Sequence, residues 1–163
     1  AQLLAEDQLG DLKALGIMPS FFVSHVYYWG DIHIKNYGME RASKISLAKS
    51  AQDEGILYTF HQDAPVIEPN MLETIWCAVN RITKNGGLLG EEERVSPLDA
   101  LKAVTKNAAY QYFEEDIKGT LKEGKVADLV ILDKNILKVD PMEIKDIQVL
   151  ETIKEGETIF KKQ

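Results

Sequence analysis

The first part of the chain alternates short apolar runs with amphipathic segments. Two of the apolar runs, Ile17–Ser24 and Ile56–Phe60, are predicted strands. Each follows a predicted amphipathic helix, over Ala5–Leu15 and Met39–Asp53 respectively. The segment between the first strand and the second helix, residues 25–38, is rich in aromatic and polar side chains and is predicted to be a loop. Strands that alternate with helices at this spacing predict βα units and a parallel sheet.

Two more helices are predicted in the middle of the chain. The first covers Met71–Thr83 and ends before the turn Asn85-Gly86-Gly87. The second begins at Ser96-Pro97, because Ser is a preferred N-cap and Pro fits the first helical position, and it continues to about Phe113. The glycines between these helices lack the preceding strand and the following Lys-Ser/Thr of a phosphate loop, so an ordinary loop is predicted there.

From Gly119 onward, short strands and turns replace the helices. The predicted strands are Ala127–Leu132, which is apolar enough to be buried, Ile147–Ile153 and Thr158–Lys161. Two similar segments place Glu-Gly at 123–124 and at 155–156, where glycine can supply the positive φ of a hairpin turn. We therefore predict two parts: residues 1–115, with helices and parallel strands, and residues 116–163, a small β unit.

Composition narrows the function classes. The chain has 163 residues and is long enough for a sizeable core. It carries 19 Lys and Arg against 26 Asp and Glu, a net charge of −7, which argues against a general nucleic-acid binder. The single cysteine, Cys77, excludes an internal disulfide and fits a cytoplasmic protein, and its apolar helical surroundings predict a buried, inert thiol. No apolar run is long enough to span a membrane, and no signal peptide is recognisable.

Polar side chains follow both predicted strands of the first part. His25 ends the first strand, and His61 and Asp63 follow the second. Because the carboxyl ends of parallel strands meet at one edge of a sheet, His25 and His61 are expected on the same rim. An Asp at this place can also be a turn former, and a lone His is often structural. His33 has no comparable placement and is predicted to be a solvated loop residue.

Three other interpretations of these residues stay weaker or open. The three histidines form no HxH, HExxH or HxxxH pair, so a complete zinc site within this chain is not expected. A triad of Ser24, His25 and Asp63 is conceivable, but no nucleophile elbow accompanies it. The aromatic segment Tyr27–Trp29 could line the mouth of a pocket or could pack against the scaffold, and local chemistry does not decide between the two.

Five segments, taken in order, resemble the C-terminal part of the amidohydrolase superfamily. They are HQDAPV at 61–66, AVNR at 78–81, EEERVSP at 91–97, the group Ala100-Leu101, Thr105 and Asn107–Tyr110, and GTLKEGKVADLVILD at 119–133. The branch that they resemble is the amidohydrolase-3 group of YtcJ-like and exoenzyme-regulatory (AepA-like) proteins. The resemblance implies a (β/α)₈ TIM-type barrel with a small β-sandwich. This chain would contribute the last two βα units over residues 1–115 and part of the sandwich over residues 116–163.

The same resemblance implies an activity and a set of site residues. The family hydrolyses amide-like, non-peptide C–N bonds of small molecules through metal-activated water. In similar proteins, the Asp that ends the eighth barrel strand contacts the metal and serves as general base, and the matching residue here is Asp63. His25, Trp29 and His61 are then expected to bind the substrate. The expected cofactor is a divalent metal, with zinc as the first choice.

The chain also departs from the family pattern. The HxH of the first barrel strand, the bridging lysine and the histidines of the fifth and sixth strands have no match, while Ala1-Gln2-Leu3 resembles the residues that follow the sixth-strand His. We therefore expect a C-terminal segment that is inactive alone and associates with the rest of its barrel or with copies of itself. The alternatives are a non-catalytic regulatory or binding protein on the same scaffold and an independently folded α/β domain.

Overall fold

A computed structural model describes all 163 residues and shows a mixed α/β chain with two separate sheets. Its α-helices are α1 (Leu9–Ala14), α2 (His25–Ser43), α3 (Ala48–Asp53), α4 (Met71–Asn80), α5 (Pro97–Ala103) and α6 (Lys106–Gln111). Its strands are β1 (Ser20–Phe21), β2 (Thr59–Phe60), β3 (Leu129–Leu132), β4 (Val149–Lys154) and β5 (Glu157–Lys161). Short 3₁₀ turns occupy Glu6–Gln8, Glu91–Glu93 and Pro141–Asp146. No helix combines the length and the apolar character that crossing a bilayer requires.

The predicted parallel pairing of the first two strands is confirmed. Ser20 lies opposite Thr59 and Phe21 opposite Phe60. The backbone N–H of His61 also donates to the Phe21 carbonyl at 3.1 Å, which carries the pairing one step beyond β2. Both strands are shorter than the apolar runs predicted, because no third strand lies beside them to extend the hydrogen-bond ladder.

The prediction of a loop over residues 25–38 was wrong, because this segment is the first part of α2. Gly38, with φ 76°, kinks the helix, which then continues to Ser43. The predicted helix Met39–Asp53 is divided between α2 and α3, because the left-handed Ser46 (φ 54°) lies in the connection between them. Aromatic residues and two glycines give this segment a low local helix preference, and packing of its buried face overrides that preference.

The hydrophobic core lies between the parallel pair and the helices. The strands contribute Phe21 and Phe60, Tyr58 just before β2 packs beside them, and α4 contributes Trp76 and four further buried apolar side chains. The predicted helix over Met71–Thr83 is confirmed as far as Asn80, where the left-handed Arg81 (φ 51°) ends it. The predicted helix from Ser96 to Phe113 begins as expected, with the Ser96 hydroxyl accepting from the Asp99 N–H at 3.1 Å, but Thr105 divides it into α5 and α6.

The three C-terminal strands form an antiparallel sheet in the order β3-β4-β5. Glu155 and Gly156, with φ 53° and 85°, make the predicted hairpin turn between β4 and β5. The similar Glu123-Gly124 pair is a turn without flanking strands. The predicted buried strand Ala127–Leu132 is shorter and only partly buried: Val130 is 56% and Ile131 45% accessible, whereas Leu132 packs against the core.

Candidate functional site

Two histidines meet at the carboxyl end of the parallel pair. His25 begins α2 just after β1, and His61 follows β2 directly. The ring of Phe22 lies against both, with centroid distances of 4.6 Å to His25 and 5.5 Å to His61. Ser20 Oγ makes a 2.7 Å hydrogen bond with His61 Nδ1 and holds that ring against the strand end. The two predicted strand-end histidines therefore share one rim.

The third histidine joins them, so the prediction that His33 is a solvated loop residue was wrong. His33 is half-buried on α2, and its Nε2 lies 3.2 Å from His25 Nδ1. Gln2 Nε2 lies 3.0 Å from that atom of His25 and 2.9 Å from His33 Nε2. Sequence reasoning missed both Gln2 and His33. The available signal was the eight-residue spacing of the two histidines, which places them on one face once the segment is helical.

A row of rings along α2 forms one wall of the site. His25, Trp29, His33 and Tyr37 recur every four residues, and we call them the α2 ring row. Centroids are 4.6 Å apart for His25 and Trp29, and 5.6 Å apart for His33 and Tyr37, whose rings are almost parallel at 10°. Residues four apart on a helix are neighbours on its surface, so this spacing builds the row. Trp29 thus lies on the same side of the helix as His25.

The loop after α4 holds the opposite face of α2 in place. The Thr83 hydroxyl donates to Asp31 Oδ1 at 2.9 Å, and the Asn85 N–H donates to Asp31 Oδ2 at 3.3 Å. A Cβ at Gly30 would come within 2.8 Å of Thr83 Cγ2, so only glycine allows this close packing. The Gly-rich segment is the ordinary loop that was predicted, and it fixes the helix that carries the ring row.

Asp63 lies at the same rim but is exposed. It adopts a left-handed conformation with φ 51°, a region that Asp tolerates better than most residues. Its charge acts on the pKa values of both His25 and His61. The conceivable triad is not formed, because Ser24 is fully buried and its hydroxyl makes no hydrogen bond to His25.

Burial lowers the pKa values of all three histidines and favours their neutral forms. The pKa of His25 is lowered to about 4, chiefly by burial and also by the nearby His33 and His61, while the charge of Asp63 opposes the shift. Burial also lowers the pKa of His33 and the pKa of His61, again with Asp63 opposing at His61. A neutral imidazole offers one N–H donor and one lone pair, so the rim can donate to and accept from a ligand at neutral pH.

The residues of this chain do not fit a complete metal site. No three His, Cys, Asp or Glu side chains converge on a point where they could share an ion. Protein zinc sites take three or four ligands, and Asp63 could supply one. Cys77 offers none, because it is fully buried in α4 and burial raises the pKa of its thiol to about 12. The burial predicted for Cys77 is confirmed.

Comparison with known proteins adds a family. The model of the amidohydrolase family matches residues 1–160. An N-substituted formamide deformylase from Arthrobacter pascens is 29% identical over 129 residues, which is 78% of this chain and 24% of that protein. The protein YtcJ of Bacillus subtilis (strain 168) is 27% identical over 152 residues, 91% of this chain and 28% of YtcJ.

A solved structure also resembles this chain. An uncharacterized metal-dependent hydrolase from Pyrococcus furiosus superposes with a TM-score of 0.70 at 30% identity. The match covers 85% of this chain and 28% of that protein. The chain therefore spans about a quarter of the length of the relatives that it matches.

Proposed function

Because the chain belongs to the amidohydrolase family, we propose that it is the C-terminal segment of a metal-dependent hydrolase that cleaves amide-like, non-peptide C–N bonds. The resemblance to that family and to YtcJ-like proteins, predicted from the sequence motifs, is confirmed. The family is built on a TIM-type barrel, and the mixed α/β chain fits it. We assign residues 1–115 to the last two βα units of the barrel and residues 116–163 to part of a small β-sandwich.

The observation that carries the proposal is the position of Asp63. It follows β2 at the rim where His25 and His61 also lie, with its carboxylate open to solvent. An ionised carboxylate at this place can take a proton from the water that attacks the C–N carbon. His25, Trp29 and His61 would contact the substrate from the strand end and the ring row. We extend to this chain the substrate class in the name of its Arthrobacter relative, N-substituted formamides.

The metal needs residues from outside this chain. A divalent ion, zinc in this proposal, would supply Lewis-acid activation when bound. Asp63 would be its one ligand here, and a single carboxylate does not provide the three or four ligands that give affinity and geometry. We therefore expect the isolated chain to be catalytically inactive. We also propose a cytoplasmic location, with which the lone cysteine of this chain agrees.

The surface of the chain supports association with a partner. Its accessible area is 9632 Å², whereas a monomer of this mass exposes roughly 8,100 Å². Large apolar side chains account for part of the excess: Phe113 is 90%, Leu15 72% and Ile159 66% exposed. We propose that the rest of the barrel, or a second copy of this chain, covers such surfaces.

The test uses the protein that carries the whole barrel, with N-substituted formamides as substrates. Asp63→Asn should lower kcat by about 10²- to 10⁴-fold, because it removes the general base. The control is Asp53→Asn, an exposed carboxylate that pairs with Lys49 on α3, and it should leave kcat unchanged. An Asp63→Asn enzyme with full activity would refute the assignment.

The inactivity of the isolated chain has its own test. Purified alone, it should contain no stoichiometric zinc and show no turnover of the same formamides. Zinc at one equivalent together with turnover would overturn this expectation. If the whole protein is also inactive and lacks an HxH on its first barrel strand, the non-catalytic binding protein becomes the better explanation.

A further inference from the structure

Gln2, His25 and His33 bring three nitrogen atoms to one point. Gln2 Nε2 is 3.0 Å from His25 Nδ1 and 2.9 Å from His33 Nε2, and the two imidazole nitrogens are 3.2 Å apart. The backbone of Gln2 is held in turn, since its carbonyl accepts the Ser46 N–H at 3.0 Å. All three side chains are half-buried at the edge of the rim. None of the functional residues predicted from the sequence accounts for Gln2 or His33.

We propose that Gln2 is a positioning residue that holds His25 as the tautomer with its proton on Nε2. A carboxamide NH₂ group carries two hydrogens, and here it has one imidazole nitrogen within reach of each. A nitrogen that accepts from the amide must carry a lone pair. His25 therefore keeps its proton on Nε2, and His33 keeps its proton on Nδ1.

The competing arrangement is a direct bond from His25 Nδ1–H to His33 Nε2. Its 3.2 Å separation is longer than either distance to Gln2. It would also set the amide hydrogens against a nitrogen that already bears a proton. The arrangement with two amide bonds satisfies both imidazole lone pairs, and such networks are the basis on which amide and tautomer states are assigned.

The fixed tautomer gives His25 a defined role in ligand binding. With Nδ1 occupied by Gln2, the free nitrogen of His25 is Nε2–H, which donates a hydrogen bond and does not accept a proton. The low pKa of His25 keeps the ring neutral, which is consistent with this role. His25 then suits a ligand with an acceptor oxygen. This step rests on the proposed function, in which that oxygen is the carbonyl of an amide-like substrate.

The first test is imidazole ¹⁵N NMR on the chain itself, which requires no turnover. In the unmodified chain, His25 Nδ1 should show the chemical shift of an unprotonated nitrogen and Nε2 that of a protonated one. Gln2→Glu replaces the donor with an acceptor of similar shape, so Nδ1 of His25 and Nε2 of His33 should both become protonated. Gln2→Leu should give a mixture of tautomers.

Two controls keep this measurement decisive. Gln163→Glu adds the same charge at an exposed position and should change neither histidine. The indole N–H of Trp76, which donates to the Met142 carbonyl at 3.1 Å in the core, reports that each variant is folded. A protonated His25 Nδ1 in the unmodified chain would overturn the proposal, as would identical spectra for Gln2→Glu and Gln2→Leu.

The second test asks whether the tautomer matters for the substrate. In the protein with the whole barrel, Gln2→Glu should lower kcat/KM at least tenfold, and Gln163→Glu should leave it unchanged. An unchanged kcat/KM together with a switched tautomer would overturn the donor role of His25 alone. If the unmodified protein hydrolyses no formamide, the proposed function fails, and the NMR result on the tautomer still stands.

Discussion

The chain contains two groups of polar side chains that differ in burial and in hydrogen bonding. One group is Arg81 with Glu93, and the other is the histidines of the rim. Arg81 is fully buried, and its guanidinium donates to the carbonyls of Leu89 at 2.8 Å and Ile45 at 2.9 Å, with a longer bond to Ser46. The histidines are half-buried and remain open on one side. Arg81 is inaccessible to a ligand and binds backbone carbonyls, whereas the histidines of the rim are partly accessible.

Glu93, like Arg81, is buried and hydrogen-bonded within the chain. It is 2% exposed, and its Oε2 accepts the backbone N–H groups of Lys49 at 2.9 Å and Ser50 at 3.1 Å, at the first turn of α3. The Ser50 hydroxyl also donates to it. Burial lowers the pKa of Arg81 to about 10, and the charge of Glu93 opposes that shift. Arg81 therefore joins the segments around residues 45 and 89 to the end of α4, and Glu93 joins α3 to the 3₁₀ turn Glu91–Glu93.

The comparison teaches that burial alone does not identify a functional residue. Buried polar groups in stable structures have their hydrogen bonds made within the chain. A fully buried charge whose hydrogen bonds go to the backbone, as those of Arg81 do, is structural. Neutral histidines gathered at a strand end, with an exposed carboxylate beside them, retain donors and acceptors for something else.

The largest stability effect should follow from removing the Arg81 guanidinium. Arg81→Met is expected to lower the free energy of unfolding by about 3–5 kcal/mol, because it leaves the buried carbonyls of Leu89, Ile45 and Ser46 without their donor. Urea denaturation measures the loss. Arg41→Met is the control, since Arg41 is exposed and its replacement should change stability by less than about 0.5 kcal/mol. Equal effects of the two substitutions would contradict the structural role.

A smaller loss of stability is expected from a substitution at Gly90, where the backbone lies close to Arg81. A Cβ at Gly90 would lie 2.2 Å from the Ser43 carbonyl oxygen and 2.7 Å from Arg81 Nη2, at φ 69°. Gly90→Ala should therefore lower the free energy of unfolding by about 2–4 kcal/mol, which is more than backbone strain alone would cost. Gly86→Ala is the matched control, because Gly86 also has a positive φ but no atom within 4 Å, and it should cost about 1–2 kcal/mol. Similar losses would show that the close contact relaxes.

The smallest effect on stability should come from His25 at the rim, and it should depend on pH. The pKa of His25 is about 4 in the folded chain, below its ordinary 6.5, and His33, His61 and Asp63 face it. The unfolded chain therefore binds the proton more readily, so the contribution of His25 to stability is complete above pH 6.5 and is lost as the pH falls toward 4.

A pair of urea melts checks this pH dependence. Between about pH 7.5 and pH 5, the unmodified chain should lose more stability than His25→Gln, which has no titrating ring at this position. His33, His61 and the carboxylates are present in both proteins, so the comparison isolates the ring of His25. The same loss in both proteins would show that the ring of His25 is not held neutral.

Much of the candidate site could be predicted from local patterns, but one helix could not. His25 and His61 were placed on one rim because polar residues after neighbouring parallel strands meet there, and that geometry is a property of the sheet. His33 was missed because the segment around it looks like a loop. Its helix exists because Gly30 packs against Thr83 and Asp31 binds the loop after α4, contacts between residues more than fifty positions apart.

The two strands of the parallel pair, the N-cap at Ser96, the hairpin turn at Glu155-Gly156 and the motifs of the amidohydrolase family could be predicted from the sequence alone, because each depends on residues close together in the chain. The tertiary structure decided that Gln2 and His33 join His25, and that Arg81 and Glu93 are buried as structural charges. The reason is physical: whether a polar side chain is satisfied depends on which distant backbone groups come within 3 Å of it, and only the folded chain determines that.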